Sequence, residues 1–220
     1  LKAKDVVRIA RVRVDDLSQP YMRSDALMLL DLTEAQVEAA RRARLLVDSS
    51  TAEICEIDFN AGDKTLTLDP RVIFVRRVRL SGESRPLTRI RREDMDLQRP
   101  GWEDETGMPT HLVVGMESAK LRLYPTPTAS GTAFLTVVRE PLADVAKLED
   151  DLELPARQAR GLAHWLAHRY YGTRDSEQFD EQKSAAALAD FETEFGPPSR
   201  TIDEQWIDQH HGFDDGEGLY

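Results

Sequence analysis

His164 and His168 stand four residues apart in a stretch patterned for a helix, so both imidazoles project from one face. Imidazoles at that spacing can ligate a divalent metal. The zinc-protease form of the arrangement needs a glutamate directly after the first histidine, and Trp165 occupies that position. No third ligand is apparent, so the competing reading is a packed or interface pair. His210 and His211 near the C-terminus give a weaker signal of the same kind. Cys55, the sole cysteine, sits among apolar neighbours and reads as a small core residue rather than a nucleophile. The sequence has no glycine-rich phosphate loop, no nucleophile elbow and no dinucleotide fingerprint. No catalytic residue, metal ligand or cofactor is therefore assigned, and the chain is read as a non-enzyme.

The elements that would position these side chains fall into blocks. Val6, Ile9, Ala10, Arg13 and Leu17, with Val7 and Val14 beside them, predict a helix over 2–16, ended by Ser18-Gln19-Pro20. Ser24 is a good N-cap for a second helix, with Asp25 where the helix dipole favours an acid. Leu27, Leu30, Val37, Ala40 and Leu45 would face its core, and Thr33 marks a candidate break. From Thr51 the apolar period changes. Ile54, Ile57 and Phe59 come from a strand-like run whose phase slips near Glu56. Leu66 and Leu68 alternate with threonines, and the turn residues 60–63 between the two runs predict a hairpin. Further strands are read at 72–80, 85–90, 111–116, 120–124 and 132–139, with a short helical turn over 92–97 and a Gly/Pro-rich loop over 100–109. Pro155 opens a second helical block. Ala159, Leu162, Ala163, Leu166 and Tyr170 form its face, and Gly172 is its predicted C-terminal cap. Asp175 would cap a last helix lined by Phe179, Ala186, Ala189 and Phe195 and stopped by Gly196-Pro197-Pro198. The predicted fold class is α+β. Helix pairs at 1–48 and 151–196 form a four-helix bundle, 49–150 is an inserted antiparallel β domain (a small sandwich or barrel), and 197–220 is an extended tail.

Composition narrows the function classes. Hydrophobic content of 40% supports a core, and a formal net charge of −11 argues against general affinity for nucleic-acid phosphates. One cysteine excludes an internal disulfide and fits a reducing compartment. No stretch approaches the length of a membrane span, and the start carries no apolar run of signal-peptide type.

The charges are segregated. Residues 71–92 hold eight arginines against Glu83, whereas 93–107, 140–154 and 197–220 hold six acids each against one basic residue. Two readings stand: solvated faces, or basic and acidic faces that meet between subunits. On the second, the candidate interface charges are Arg76, Arg77, Arg79, Arg89, Arg91, Arg92, Glu149, Asp150 and Asp151. The tail is too polar to fold alone, yet it keeps Ile202, Trp206, Ile207, Phe213, Leu219 and Tyr220. Large apolar residues in such a segment suit a docking arm that orders on a partner.

Three stretches, in order, resemble the head-to-tail adaptor (connector) proteins of tailed bacteriophages, similar to the tail tubular or portal-adaptor proteins of short-tailed phages. The first is Asp5-Val-Val-Arg-Ile-Ala-Arg11 followed by Arg23-Ser24-Asp25. The second is Trp102 to Pro109 with Leu121-Arg-Leu-Tyr-Pro-Thr-Pro127. The third is Leu152-Glu-Leu-Pro155 into Ala163-His-Trp-Leu-Ala-His-Arg-Tyr-Tyr171, with the acid- and alanine-rich 175–195 after it. One departure is the turn before the second helix, where Tyr21 precedes Met22-Arg23. The resemblance implies a structural virion protein of the neck, assembled in the host cytoplasm. Its implied partners are the portal protein, tail or nozzle proteins, and further copies of itself in a dodecameric ring. DNA would pass through that ring without sequence-specific binding, and no membrane would be involved. The alternatives are another neck or tail-completion protein, a cytosolic interaction module, or a metal-assisted hydrolase built on His164 and His168.

Overall fold

The computed structural model describes residues 1–174 and 176–198. The element order begins with α1 (Ala3–Val14), α2 (Asp25–Ala43), β1 (Val47–Asp48), α3 (Ala52–Cys55), β2 (Glu56–Phe59) and β3 (Thr65–Thr67). It continues with β4 (Val72–Leu80), β5 (Thr88–Arg91), α4 (Arg92–Gln98), a 3-10 turn (Trp102–Asp104), β6 (Thr106–Gly107), β7 (His111–Val114) and β8 (Lys120–Tyr124). It closes with β9 (Thr126–Pro127), β10 (Gly131–Arg139), α5 (Ala156–Ala159), α6 (Leu162–Gly172) and α7 (Glu181–Phe195). The class is mixed α+β, and the described residues divide into a helical unit (1–46 with 140–198) and a β unit (47–139).

In the helical unit, α6 packs against α1, α2 and α7. One core unites Val6, Ala10, Met28, Leu32, Ala35, Leu162, Leu166, Phe191 and Phe195. The buried face of α1 (Ala3, Val6, Val7, Ala10, Val14) follows the predicted spacing in part: Arg11 is buried, Ile9 is half-buried, and Arg13 and Leu17 are exposed. The face predicted for α2 holds at Ala40, which is fully buried, but is rotated in the first half of the helix. Leu27 and Leu30 are 45% and 57% exposed, and Met28, Leu32, Ala35 and Ala39 are buried in their place. These four join one core with Leu162 and Leu166 of α6, whereas Leu27 and Leu30 lie outside it. Thr33 does not break α2. Its hydroxyl bonds back to the Leu29 carbonyl (3.1 Å) and accepts from the Val145 amide (3.0 Å), so its polar group is satisfied inside the helix.

The second helical block also differs from its reading. A short α5 precedes α6, and Gly172 is the last residue of α6 in helical conformation, not a left-handed cap. A Cβ there would meet Ser184 Oγ at 3.1 Å, so the glycine serves close approach of α7. α7 begins only at Glu181, because Asp180 provides the cap: its carboxylate accepts from the Lys183 amide at 3.0 Å. Asp175, the predicted cap, lies outside the described residues. Phe179 precedes the helix and is exposed, as are Ala186 and Ala189, while Ser184, Phe191 and Phe195 are buried.

The β unit has β10 at the centre of one four-stranded sheet, with β1 and β2 along one edge and β4 along the other, all antiparallel. The second sheet has the order β3-β8-β7-β5. Side chains of both sheets fill one core, including Phe59, Val75, Leu80 and Leu135 from the first and Leu66, Leu112, Leu121 and Leu123 from the second. The insertion is not wholly antiparallel. β5 pairs with β7 in parallel, as does β6 with β9. The connection over 92–110, carrying α4 and the 3-10 turn, is long enough for the crossover that a parallel pair requires. The phase slip near Glu56 also has a cause: Ala52–Cys55 is a single helical turn that buries Ile54 and Cys55 before β2 begins.

Candidate functional site

The two histidines part company in the structure. His164 Nδ1 lies 2.8 Å from Arg13 Nη1 and 3.4 Å from Asp190 Oδ2. Burial and the Arg13 charge hold its pKa below the ordinary imidazole value. His168 Nδ1 lies 3.0 Å from the Ser184 carbonyl, and its ring packs on Trp165. His164 therefore ties α6 to α1 and α7, and His168 ties it to α7. Among the described residues, no three of His, Cys, Asp and Glu stand together as a metal site. His210 and His211 lie outside the described residues.

Cys55 is 2% exposed. Burial and the nearby Asp48 carboxylate push its thiol pKa up, which suppresses the thiolate. Asp48 organises this corner. Burial alone would raise its pKa. That effect is outweighed by donors from the Ser50 amide (2.9 Å), the Thr51 hydroxyl (2.7 Å), Arg139 Nε (2.6 Å) and the Thr51 amide (3.1 Å). The carboxyl is held far below its usual range.

The basic run is shaped by a β-bulge. Thr136 pairs with Arg77 and Val137 with Val75, so Arg76 is the extra residue. Val75 and Val78 both stay buried, while Arg76 and Arg77 are both exposed. Among the described residues neither makes an ion pair. The other predicted arginines are engaged nearer home. Arg79 lies over the Phe134 ring and donates to the Glu83 carbonyl, and Arg92 pairs with Asp96 at 3.5 Å. Arg89 is half-buried over Phe74, donates to the Val75 carbonyl, and has its pKa lowered by burial. Arg91 is half-exposed beside them on β5.

The acidic candidates lie in the helical unit, and they hold the N-terminus. Glu149 accepts from Lys4 Nζ at 2.9 Å and lies 3.8 Å from Lys2 Nζ. Asp150 accepts from the amides of Ala146 and Lys147, and its carbonyl accepts from the Ala3 amide. Asp151 bridges to Lys2 across a short backbone pairing. The tail candidates Ile202, Trp206, Ile207, Phe213, Leu219 and Tyr220 lie outside the described residues.

A second polar cluster was not singled out from sequence. Buried Arg11 donates to Asp16 and Asp25, both at 2.6 Å, and to the Arg23 carbonyl, and its guanidinium stacks 3.5 Å from the Tyr21 ring centre. Arg23 forks onto buried Asp31 at 2.6 and 2.8 Å, and Arg169 of α6 reaches Asp31 and Glu34. This network fixes the α1–α2 turn, where Leu17 and Met22 are exposed, as are Leu27 and Leu30 in the following start of α2. The available signal was the density of Asp and Arg over 11–31, including a positively charged residue on an otherwise apolar helix face.

Polar groups that would suggest chemistry are thus spent on the chain's own backbone and helices, and what remains exposed is charge and scattered apolar surface. The fold class is mixed α+β. Among the described residues, no helix is long and apolar enough to cross a membrane. The model of the SU10 adaptor protein family matches residues 2–210, and the chain belongs to that family. Membership is consistent with a phage head-to-tail adaptor. No curated protein matches the chain.

Proposed function

We propose that this chain is a non-catalytic head-to-tail adaptor of a tailed bacteriophage. It binds the portal protein, closes with further copies into a dodecameric ring, and links the DNA-filled head to tail or nozzle proteins in the virion neck. The observation that carries the reading is the family match over nearly the whole chain. In this reading the helical unit acts as a four-helix bundle that forms the body of each subunit. The β unit faces neighbours or the next tail component, and residues 197–220 dock on the portal.

Physical features support the parts. A ring needs two different faces on each subunit. The chain carries the exposed Arg76–Arg77 pair on one unit, and on the other Glu149 and Asp151, which stay exposed while pairing with Lys4 and Lys2. The net charge of −11 suits a lumen along which DNA slides without sticking. Docking on a portal would raise the local concentration of subunits, so that lateral contacts too weak for free subunits close the ring.

The test is light scattering of the chain alone and mixed with the cognate portal protein. A ring-sized complex that forms with the full chain, and weakens on truncation after Gly196 or on Trp206→Ala, is the expected result. Unchanged portal binding by the truncated chain would remove the docking role of the tail. Binding to a tail component but not to the portal would make the chain a tail-completion protein.

A further inference from the structure

The β unit has two outer faces of opposite charge. The first is the outward side of the sheet built on β10. Val78 pairs with Leu135 and both are buried, so Arg77, paired with Thr136, and Arg79, paired with Phe134, stand on the other side of that sheet. The bulge leaves Arg76 exposed beside Arg77. Neither makes an ion pair among the described residues. Phe134 is half-buried, with Arg79 over its ring at 5.0 Å from the centre. On the far flank of Phe134, β2 places the exposed Glu56. A basic stripe therefore runs along β4 with a partly open aromatic ring beside it.

The second face lies beyond the other sheet. Leu112 and Val114 of β7 fill the core shared by the two sheets, whereas Val113 between them joins Met95, Trp102 and Tyr124 in a separate cluster. α4 and the 3-10 turn thus cover the far side of that sheet. Met95 is the buried residue of α4, and Glu93 and Leu97, two positions before and after it, are turned furthest from it. Leu97 is 82% exposed. Glu93 and Asp94 are exposed too, and neither makes an ion pair among the described residues.

The two faces match in spacing as well as in charge. Glu93 and Leu97 are one helical turn apart, about 5–6 Å between β carbons. Arg77 and Phe134 are diagonal neighbours on adjacent antiparallel strands, about 7–8 Å apart and somewhat less at their β carbons. The faces lie on opposite sides of one sandwich, so a subunit cannot join its own two. A second copy can.

We propose that α4 of one copy docks on the β4–β10 face of the next. Leu97 packs on Phe134, and Glu93 and Asp94 pair with Arg77 and Arg76. Glu56 repels the acids from the β2 side and so fixes which way α4 lies. The contact joins two different faces and repeats in one sense from copy to copy, which is what closing a ring requires. Glu149 and Asp151, already paired with lysines of their own chain, take no part in it. The proposal rests on the reading that copies join into a ring, and it names the surfaces that meet.

Disulfide trapping in the full chain tests this, because it captures contacts too weak to hold free subunits together. Copies carrying Leu97→Cys are mixed with copies carrying Phe134→Cys under mild oxidation, alone and with the cognate portal protein. The mixed disulfide is expected to exceed both homodisulfides at least several-fold. Arg76→Glu with Arg77→Glu in the Phe134→Cys copy should remove that excess, and Glu93→Lys with Asp94→Lys in the other copy should restore it. Restoration excludes misfolding as the cause of the loss. Disulfides in statistical proportion, a predominance of either homodisulfide, or an excess that ignores the charge reversals overturns the proposal. A second measurement needs no cysteine. Sedimentation of the portal-bound assembly should show fewer copies per portal for the Arg76→Glu, Arg77→Glu chain, and recovery when it is mixed with the Glu93→Lys, Asp94→Lys chain. Full assembly by either variant alone would sink the contact and leave the adaptor reading standing, whereas native copies that neither bind the portal nor trap each other would sink both.

Discussion

Arg11 and Asp16 face each other at 2.6 Å with side chains 6% and 2% exposed, which makes them a buried ion pair at the turn between the first two helices. Asp16 also accepts from the Met22 amide at 3.0 Å, and Arg11 also binds Asp25 and stacks on Tyr21. The pair therefore sets the path of the chain from α1 into α2. Removing one partner strands the other charge away from water. Arg11→Leu or Asp16→Leu alone is expected to cost about 3–5 kcal/mol in urea unfolding, and the double variant much less than the sum. Additive losses would mean that the two residues act independently.

The register of α2 gives a direct comparison. Leu32 is fully buried and Leu30 is 57% exposed, although both are leucines in one helix. Leu32→Ala should destabilise by about 2–5 kcal/mol, and Leu30→Ala should stay within about 0.5 kcal/mol. Equal effects at both positions would contradict the observed face.

Asp48 links the β unit to acid. Its folded carboxyl titrates well below the ordinary range, so it contributes stability above the unfolded pKa of about 4. That contribution is lost as pH falls through and below this value. The melting temperature of the native chain should drop between pH 5 and pH 3, and Asp48→Asn should start lower and fall less over the same window. Parallel curves for the two proteins would show that Asp48 is not a source of the acid sensitivity.

His164 behaves in the opposite chemical sense with the same outcome on acidification. Its folded pKa is lowered by burial and by Arg13, so the unfolded chain takes up the proton first as pH drops below about 6.5. Stability should therefore rise with pH through this window. His164→Gln should flatten the rise, and NMR titration should place the native imidazole below its ordinary value. A native value above it would show that Asp190, not Arg13, dominates the site.

Phe191 is fully buried between Trp165 and Phe195, with ring centres 5.0 and 4.6 Å away. Phe191→Ala should cost about 3–5 kcal/mol by the same unfolding measurement. A cost under 1 kcal/mol would mean that α7 contributes little to the helical core.

Much of the element order was legible in the sequence. Ser24 caps the second helix, β8 runs over 120–124 as read from the sequence, and Gly196 ends the last helix. These features are local: a cap, a turn or a two-residue period acts within a few positions of itself. The Arg76 bulge, the rotated face of α2 and the late start of α7 were not legible. The first two depend on partners distant in the chain, β10 and α6, and the third on capping by Asp180.

The candidate functional residues divide in the same way. Composition and order gave an acidic chain, a basic strand, two flanking helical blocks and a resemblance that the family match bears out. Tertiary structure alone decided which charges are already spoken for. Glu149 faces Lys4 across 145 positions of sequence, whereas Arg76 and Arg77 stay exposed because a single extra residue in β4 turns both outward. Charge is a property of the residue. Its availability to a partner depends on what folding brings within about 4 Å of it, and that distance is set by the whole chain.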